Sequence, residues 1–386
     1  MTNNFSNIIN YAKKIRRELH KKPELGWDEY NTSKKIRFIL DKYNIKWKEL
    51  SQTGTVAYLA EQKKGKHIAL RCDIDALSIS EETGLEYASE NKNCMHACGH
   101  DGHTATLIAV AIFLKQNELK LPGPVSLIFQ PAEEGGHGAR SLIAAGCLDG
   151  VEAIYGWHNW PTIKFGEALC PDGIIMAGNG TFHIKLIGKG GHSSQPEMCK
   201  DPVLAAAAVT MSLQQIVSRN MSPLKISVVS VTSIDAPSGV TSIPNIAKLH
   251  GSIRVSDKEM KIEIQKLIQS ITFNVAKGYG VESVIEFRDR YAPTVNNSNE
   301  SNNVRKVLTE VLGDNWKSNH LSPLMASEDF SYYLDVIPGA YTLIGSNEGD
   351  LSKSIPCHNS KYDFNDKLIE PASKILIRLA NYKGDI

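Results

Sequence analysis

Cys94-Met95-His96-Ala97-Cys98-Gly99-His100-Asp101-Gly102-His103 places two thiols, three imidazoles and a carboxylate within ten residues. Thiolate, imidazole and carboxylate are the groups that bind borderline-soft divalent metals. Residues two apart do not share a face of a helix, but they share a face of an extended segment. Cys98 and His100 therefore reach one ion together only from a strand or a turn, and Gly99 and Gly102 supply the backbone freedom for a turn. A small structural zinc knuckle, or two core cysteines clustered by chance, would look similar over this stretch alone. A structural site closes with four Cys and His ligands. Here a paired carboxylate follows, in Gln130-Pro131-Ala132-Glu133-Glu134-Gly135-Gly136, directly after the apolar run at 125–129. Metal ligands combined with paired carboxylates point to a catalytic centre.

Working outward, residues 8–19 and 31–43 carry apolar side chains at helical spacing, and 104–114 is an apolar segment of helical length. Strands are expected at 56–60, 67–70, 125–129, 153–156 and 340–344. Strands alternating with helices indicate an α/β layered fold. In such folds functional residues sit just beyond the carboxyl ends of the strands. Asp73 and Asp75, Glu133 and Glu134, His158 and His358 all follow expected strands, so four clusters can converge on one rim. Asp73, Asp75 and Asp101 are candidates for carboxylates that orient metal-binding histidines. Asp101 could equally cap the helix before Thr104. His96 and His103 are expected to be supporting or structural residues rather than metal ligands, and Cys94, Cys147, Cys170 and Cys199 to be ordinary thiols. Cys357 receives no role.

The middle of the chain has a different rhythm. Phe182, Ile184 and Leu186 alternate as in a half-exposed strand. Asp201-Pro202 reads as an N-cap with proline at the first helical position, opening an alanine-rich helix to about 217. Strands at 226–231 and 246–253 follow. Ser256-Asp257-Lys258-Glu259 reads as a capping box before a second amphipathic helix, and 284–287 as a last strand. The βαββαβ order is ferredoxin-like. Residues 180–291 are expected to form a domain inserted into a discontinuous one made of 1–179 and 292–386.

The 386 residues are enough for a self-sufficient core, and 42% hydrophobic with 22% charged residues is ordinary for a soluble globular chain. A net charge of +1 gives no sign of a nucleic-acid partner. No apolar run approaches the ~18 residues of a membrane span, and no secretory signal is visible. Seven scattered cysteines fit a reducing compartment, so a cytoplasmic location is expected.

Taken together these residues resemble the dinuclear metal aminoacylase/carboxypeptidase family, in the amidohydrolase branch that includes hippurate hydrolase, N-acetyl-amino-acid deacetylases and plant hydrolases of indole-acetyl amino acids. The resemblance runs nearly the whole length. It is carried by Arg16-Arg17-Glu18-Leu19-His20 with Pro23-Glu24-Leu25-Gly26, and by the blocks 71–77, 95–103 and 130–134. Gly156-Trp157-His158-Asn159, the block 188–193, Met325-Ala326-Ser327-Glu328-Asp329-Phe330 and His358-Asn359-Ser360 complete it. It implies a zinc-peptidase-like layered catalytic domain, with the insert serving as lid and dimerisation domain. It implies two divalent metal ions held by Cys98, His100, Glu134, His158 and His358, with Cys98 bridging them. It also implies Glu133 as general base, and His192 as a group that reaches an active site from the lid, serving the partner subunit in related dimers. Branch members commonly carry asparagine–hydrophobic–isoleucine–proline–aspartate in the lid; this chain has Thr241-Ser242-Ile243-Pro244-Asn245. Thr241 and Asn245 thus stand where substrate-holding groups are usual, whereas Arg254 keeps the family's arginine.

The chemistry fits the residues. Two ions ~3.5–4 Å apart can acidify a shared water and polarise an amide carbonyl. One carboxylate is then needed as ligand and another must stay free to move protons. The thiolate favours zinc, with manganese, cobalt and nickel as alternatives. The expected activity is metal-dependent hydrolysis of the amide bond of N-acyl amino acids by a metal-bound water, on a small-molecule substrate with no membrane partner, in a homodimer. A carboxypeptidase or dipeptidase acting on short peptides is the neighbouring reading. A non-catalytic descendant should have lost ligands or base, and this chain has all of them. A thiol redox protein is disfavoured because three residues separate Cys94 from Cys98, not the two of a C-x-x-C motif.

Overall fold

A computed structural model of the chain describes residues 2–386. Contacts divide it into two compact units. The first comprises the chain up to Ile175, Val295–Ser322 and Asp329–Ile386; the second comprises Met176–Thr294 with Pro323–Glu328.

The first unit is built on a seven-stranded mixed sheet. Its strands include β1 (Lys46–Leu50), β2 (Gly54–Leu59), β3 (Ile68–Asp73), β4 (Val125–Gln130) and β5 (Ala153–Lys164). The order is β1-β2-β4-β3-β5, then the strand Gly339–Asn347, then the short strand Ala168–Leu169. β4, β3, β5 and Gly339–Asn347 run parallel; β1 and β2 join antiparallel at one edge. β3 and β4 are buried along their whole length, as parallel strands covered on both faces must be. That is why both are mostly apolar in sequence, at 68–70 and 125–129, with the buried polar groups Arg71, Asp73 and Gln130 towards their carboxyl ends. β1 was not anticipated. Its sequence Lys-Trp-Lys-Glu-Leu is mostly charged, the composition that protects an edge strand from pairing with another chain.

Three helices precede or follow these strands: α1 (Thr2–Lys21), α2 (Tyr30–Lys42) and α3 (His100–Gln116). α3 is buried from His100 to Leu114 and packs against α1, β3 and the helix Ile369–Leu379. A helix apolar all round can only be a central one. Its first turn carries the metal-type residues, so the most buried helix of the unit is also the one that delivers them to the rim.

The second unit is a four-stranded antiparallel sheet. The strand Gly178–Ile187 lies between Ile246–Val255 and Glu282–Asp289, and Ser227–Asp235 flanks Ile246–Val255. With the helices Pro202–Leu213 and Lys258–Gly278 in sequence between them, this is the βαββαβ order expected. Phe182, Ile184, Leu186, Ala247 and Leu249 share a core with Ala205, Val209, Ile264 and Ile268 from the helices. Asp201 caps its helix as expected, accepting hydrogen bonds from the N–H groups of Val203 and Leu204. The second cap lies one residue later than the capping-box reading. Asp257, not Ser256, accepts from Glu259 and Met260.

Asp101 proves not to be an N-cap. The helix starts at His100 with Gly99 as its cap, and the Asp101 carboxylate is fully buried against α1. It accepts from His20 Nδ1 at 2.7 Å and pairs with Arg16 Nε at 2.9 Å. His20 donates through its other nitrogen to Glu81 at 3.3 Å. Burial alone would push His20 down, but Asp101 and Glu81 outweigh it and raise its pKa from 6.5 to about 9. Folding therefore takes up a proton at His20 between those values, and stability falls as pH rises through them. Resistance to urea is expected to fall from pH 6.5 to about 9, and His20→Gln should flatten that slope. A slope unchanged in the variant would show that His20 is not its source.

Candidate metal centre

The turn Cys98-Gly99-His100 has the shape that the two-residue spacing requires. Gly99 has φ +92°, and a Cβ there would lie 2.4 Å from Asn159 Oδ1, so only glycine fits. The reversal leaves Cys98 just before α3 and His100 as its first residue. His158 is not beyond a strand but within β5, which continues well past the expected 156. Glu133 and Glu134 follow β4. His358 sits in a left-handed conformation at φ +67°, its backbone N–H bonded to Ala97 O at 2.8 Å. That bond brings the loop at 355–359 against the Cys98 segment.

All five expected ligands and Glu133 meet in the first unit. Cys98, His100 and His158 offer one ligand atom each within 4.8 Å of one another; so do Cys98, Glu134 and His358; and so do His100, Glu133 and Glu134. The first two groups share Cys98, the arrangement a bridging thiolate needs. Cys98 Sγ is 3.3 Å from His158 Nε2, and His358 Nε2 is 3.2 Å from Glu134 Oε1.

The imidazoles are oriented by their far nitrogens. His158 Nδ1 donates to the carbonyl of Asn159 at 2.7 Å, and His100 Nδ1 donates to the carbonyl of Asp75 at 2.9 Å. A ring that donates through Nδ1 turns the lone pair of Nε2 outward, the form that binds a metal. His100 Nε2 is buried with no hydrogen-bond partner. A polar atom is rarely left in that state without a ligand to receive it. The donor set and this orphaned nitrogen fit a divalent metal.

Carboxylates behind the ligands complete the centre. Asp75 touches His100 Nδ1 through Oδ1 at 3.3 Å and accepts the Glu134 backbone N–H through Oδ2 at 2.9 Å. Asp73 bonds His103 Nδ1 at 2.6 Å, and His103 Nε2 lies 2.7 Å from Asn159 Oδ1. His103 therefore supports the site as expected, through Asp73 and Asn159. His96 is buried next to His20, with neither ring nitrogen bonded and burial holding its pKa down to about 3. Burial pushes His100 down, but Asp73, Asp75 and Glu134 outweigh it and hold its pKa well above the ordinary value. Burial and His103 hold His158 well below its own. The hydrogen bond with Cys357, then burial, keeps the Cys98 thiol well above the ordinary range. Metal uptake must therefore displace protons from His100 and Cys98.

Several supports were not singled out from the sequence. Tyr362 Oη accepts from Asn159 Nδ2 at 2.7 Å. Arg71, fully buried, bonds Gln130, Asp73 and Asp329 at 2.7–2.9 Å, and Asp329 N–H donates to Glu133 Oε1 at 3.3 Å. Asp329 stood in a quoted motif without a role. Its sequence distance from Arg71, 258 residues, hides the pair.

The remaining expected site residues lie in the second unit. His192 is exposed, in a two-residue strand paired with Ser242–Ile243. Its Nδ1 accepts the Ser194 backbone N–H at 3.2 Å, which leaves the proton on Nε2. Asn245 Oδ1 accepts the Gly190 N–H at 2.8 Å, and the Thr241 carbonyl accepts the Ser193 N–H at 2.9 Å. Both hold the His192 segment. Arg254 donates to Ser327 Oγ at 2.8 Å.

The profile of peptidase family M20/M25/M40 matches residues 69–382. Hippurate hydrolase of Campylobacter jejuni is 38% identical over 373 residues, with 95% of each chain covered. N-acetylcysteine deacetylase of Bacillus subtilis is 36% identical over 368 residues, again with 95% of each covered. The crystal structure of the Bacillus subtilis YXEP protein, described as a dinuclear metal binding peptidase, superimposes with a TM-score of 0.83 at 31% identity, covering 97% of this chain and 98% of the other.

The carboxylate pair separates by its contacts. Glu134 Oε1 faces His358, whereas Glu133 Oε1 takes the Asp329 N–H. Glu134→Gln is expected to lose metal. Glu133→Gln should keep it and lose ~10²–10⁴-fold in turnover. Metal analysis giving the reverse pattern would exchange the two roles.

Proposed function

The chain belongs to peptidase family M20/M25/M40, and from that premise we propose that it hydrolyses the amide bond of N-acyl amino acids, releasing a carboxylic acid and a free amino acid. The observation that carries this reading is the pair of ligand groups sharing Cys98, with Glu133 beside them. Two divalent ions held there would supply Lewis acidity, polarising the amide carbonyl and lowering the pKa of a water. Glu133, 6% exposed, accepts the proton of the attacking water and passes it to the leaving nitrogen. Its hydrogen bond from Asp329 N–H fixes the carboxylate without neutralising it. Glu134, His100, His158, His358 and Cys98 would hold the ions. The thiolate favours zinc over manganese, cobalt or nickel.

The second unit is proposed as a lid and dimerisation domain of a homodimer. His192, whose Nε2 carries the proton, donates to the developing oxyanion, in the partner subunit's site. Arg254 is proposed to meet the substrate carboxylate, with Thr241 and Asn245 shaping the His192 segment. No described helix is long and apolar enough to cross a membrane; a cytoplasmic location and a small-molecule substrate are part of the proposal. The second reading, a carboxypeptidase or dipeptidase, is favoured by the likeness to a dinuclear metal binding peptidase.

A screen of N-acetyl and N-benzoyl amino acids against dipeptides, repeated with zinc, manganese, cobalt and nickel, separates the readings. Acylated amino acids should be cleaved faster, and chelation should abolish cleavage while leaving secondary structure. Faster dipeptide cleavage would favour the peptidase reading; full activity in metal-free protein would end both. His192→Ala should cost ~10²–10³ in turnover without releasing metal. Verified heterodimers of His192→Ala with Glu133→Gln should regain part of the activity, because one site then has both groups. No rescue would confine His192 to its own chain.

A further inference from the structure

The segment Pro23-Glu24-Leu25-Gly26-Trp27-Asp28-Glu29 has no part in the chemistry above, yet it wraps the turn that presents both glutamates. Leu25 forms a parallel bridge with Ala76, and the Ala76 N–H donates to Glu24 O at 2.8 Å. Gly26 lies so close to the turn that a Cβ would stand 3.1 Å from the Ala132 Cα. Trp27 Nε1 donates to the Gly136 carbonyl at 3.1 Å. Glu29 is fully buried; its Oε1 accepts the Ala132 N–H at 2.8 Å and its Oε2 accepts from Thr53 Oγ1 at 2.7 Å. The Ala132 N–H is therefore gripped by one buried carboxylate, and the Glu134 N–H by another, Asp75.

Ala132 needs such a grip. Its φ of +51° is left-handed, a region that alanine enters at a cost. This reversal precedes Glu133 and sets the directions in which Glu133 and Glu134 leave the backbone. A turn that relaxed to φ below zero would swing both carboxylates off their partners. We infer that Glu29 is a positioning residue for the reaction, holding Ala132 in its left-handed conformation so that Glu133 and Glu134 face the substrate and the metals respectively. The inference rests on the roles of Glu133 and Glu134 given above.

A purely stabilising role fits Glu29 poorly. Burial and the nearby Asp75 carboxylate raise its pKa from 4.5 to about 7. A carboxyl whose folded pKa is raised opposes folding above its unfolded value, so at neutral pH its charge works against stability. Glutamine would keep an acceptor for Ala132 without that charge.

The test compares Glu29→Ala and Glu29→Gln in the metal-loaded protein, with kcat and KM expressed per metal-loaded site and metal affinity read by competition with a chelator. Ile9→Ala, a core truncation in α1, is the control for lost stability. Glu29→Ala is expected to lower kcat by ~10²-fold with KM little changed, as a ~1 Å displacement of catalytic groups does, and to weaken metal affinity about tenfold. Glu29→Gln should recover kcat to within about threefold of the parent, while Ile9→Ala should leave both readouts unchanged. Where Glu29→Ala does not fold, Thr53→Val, which frees Oε2 of Glu29, should show a smaller loss of kcat in the same direction. Parent-like kcat and metal affinity in Glu29→Ala, or in Thr53→Val where that replaces it, would overturn the inference. So would a Glu29→Gln variant as impaired as Glu29→Ala. A parent protein inactive on every acylated amino acid and dipeptide would instead remove the functional reading beneath it.

Discussion

A carboxylate buried at the end of β3 holds the rim of the sheet together. Asp73 is fully buried, with one oxygen on Arg71 at 2.7 Å and the other on His103 at 2.6 Å. Stripping such an ion of water costs several kcal/mol, and the loss is offset only when every lone pair is used. Burial would raise its pKa, but His100, His103 and Arg71 outweigh that and hold it well below the carboxylate range. The charge is thus permanent, and it fixes its neighbours. Arg71 reaches Gln130 on β4 and Asp329, and Asp329 in turn accepts the Ala139 N–H at 3.0 Å and donates its own N–H to Glu133. Four segments far apart in sequence are tied to one buried anion, and three of them carry groups of the candidate site.

Hydrogen-bond partners also explain why the buried histidines take different roles. His100 and His158 spend Nδ1 on backbone carbonyls and keep Nε2 for a ligand. His103 has both nitrogens engaged, with Asp73 and Asn159, and has nothing left to offer an ion. His20 spends both on carboxylates and becomes part of an ion cluster with Arg16 and Asp101. Residue type alone did not distinguish these four; the acceptor facing Nδ1 did.

The sequence was most legible where one local rule governed. Two-residue spacing at Cys98 and His100 called for a strand or a turn, and Gly99 at φ +92° makes it a turn. Apolar stretches at 68–70 and 125–129 located β3 and β4, and alternation located the strand Gly178–Ile187. The βαββαβ order followed from periodicity and the cap at Asp201. Legibility failed where distant partners decide. β1 is held by pairing with β2 rather than by apolar residues of its own. Asp101 read equally as a helix cap and as a carboxylate orienting a metal-binding histidine, but Arg16 and His20, over 80 residues earlier, claim it. β5 runs on through Trp157 and His158 because Gly339–Asn347 pairs with it across that stretch, with Leu343 opposite His158. An ending at 156 was a reasonable reading of residues whose extended partner lies in another part of the chain.

Adjacent glutamates present a problem that composition cannot solve. On an extended strand two neighbouring side chains point to opposite faces, so a pair that serves one centre has to leave the strand first. Here the pair sits between two left-handed residues, Ala132 at φ +51° and Gly135 at φ +100°. Gly135 adopts that geometry freely. Ala132 pays ~1–2 kcal/mol for it, and Gly138 behind it has no room for a side chain, since a Cβ there would fall 1.7 Å from the Pro131 carbonyl oxygen. The turn is closed by Gly138 N–H on Ala132 O at 3.1 Å and gripped from outside by Glu29 and Asp75. The division of labour between Glu133 and Glu134 is therefore a property of backbone geometry enforced by residues from two other segments. That is why two chemically identical neighbours can face a histidine in one case and a backbone N–H in the other.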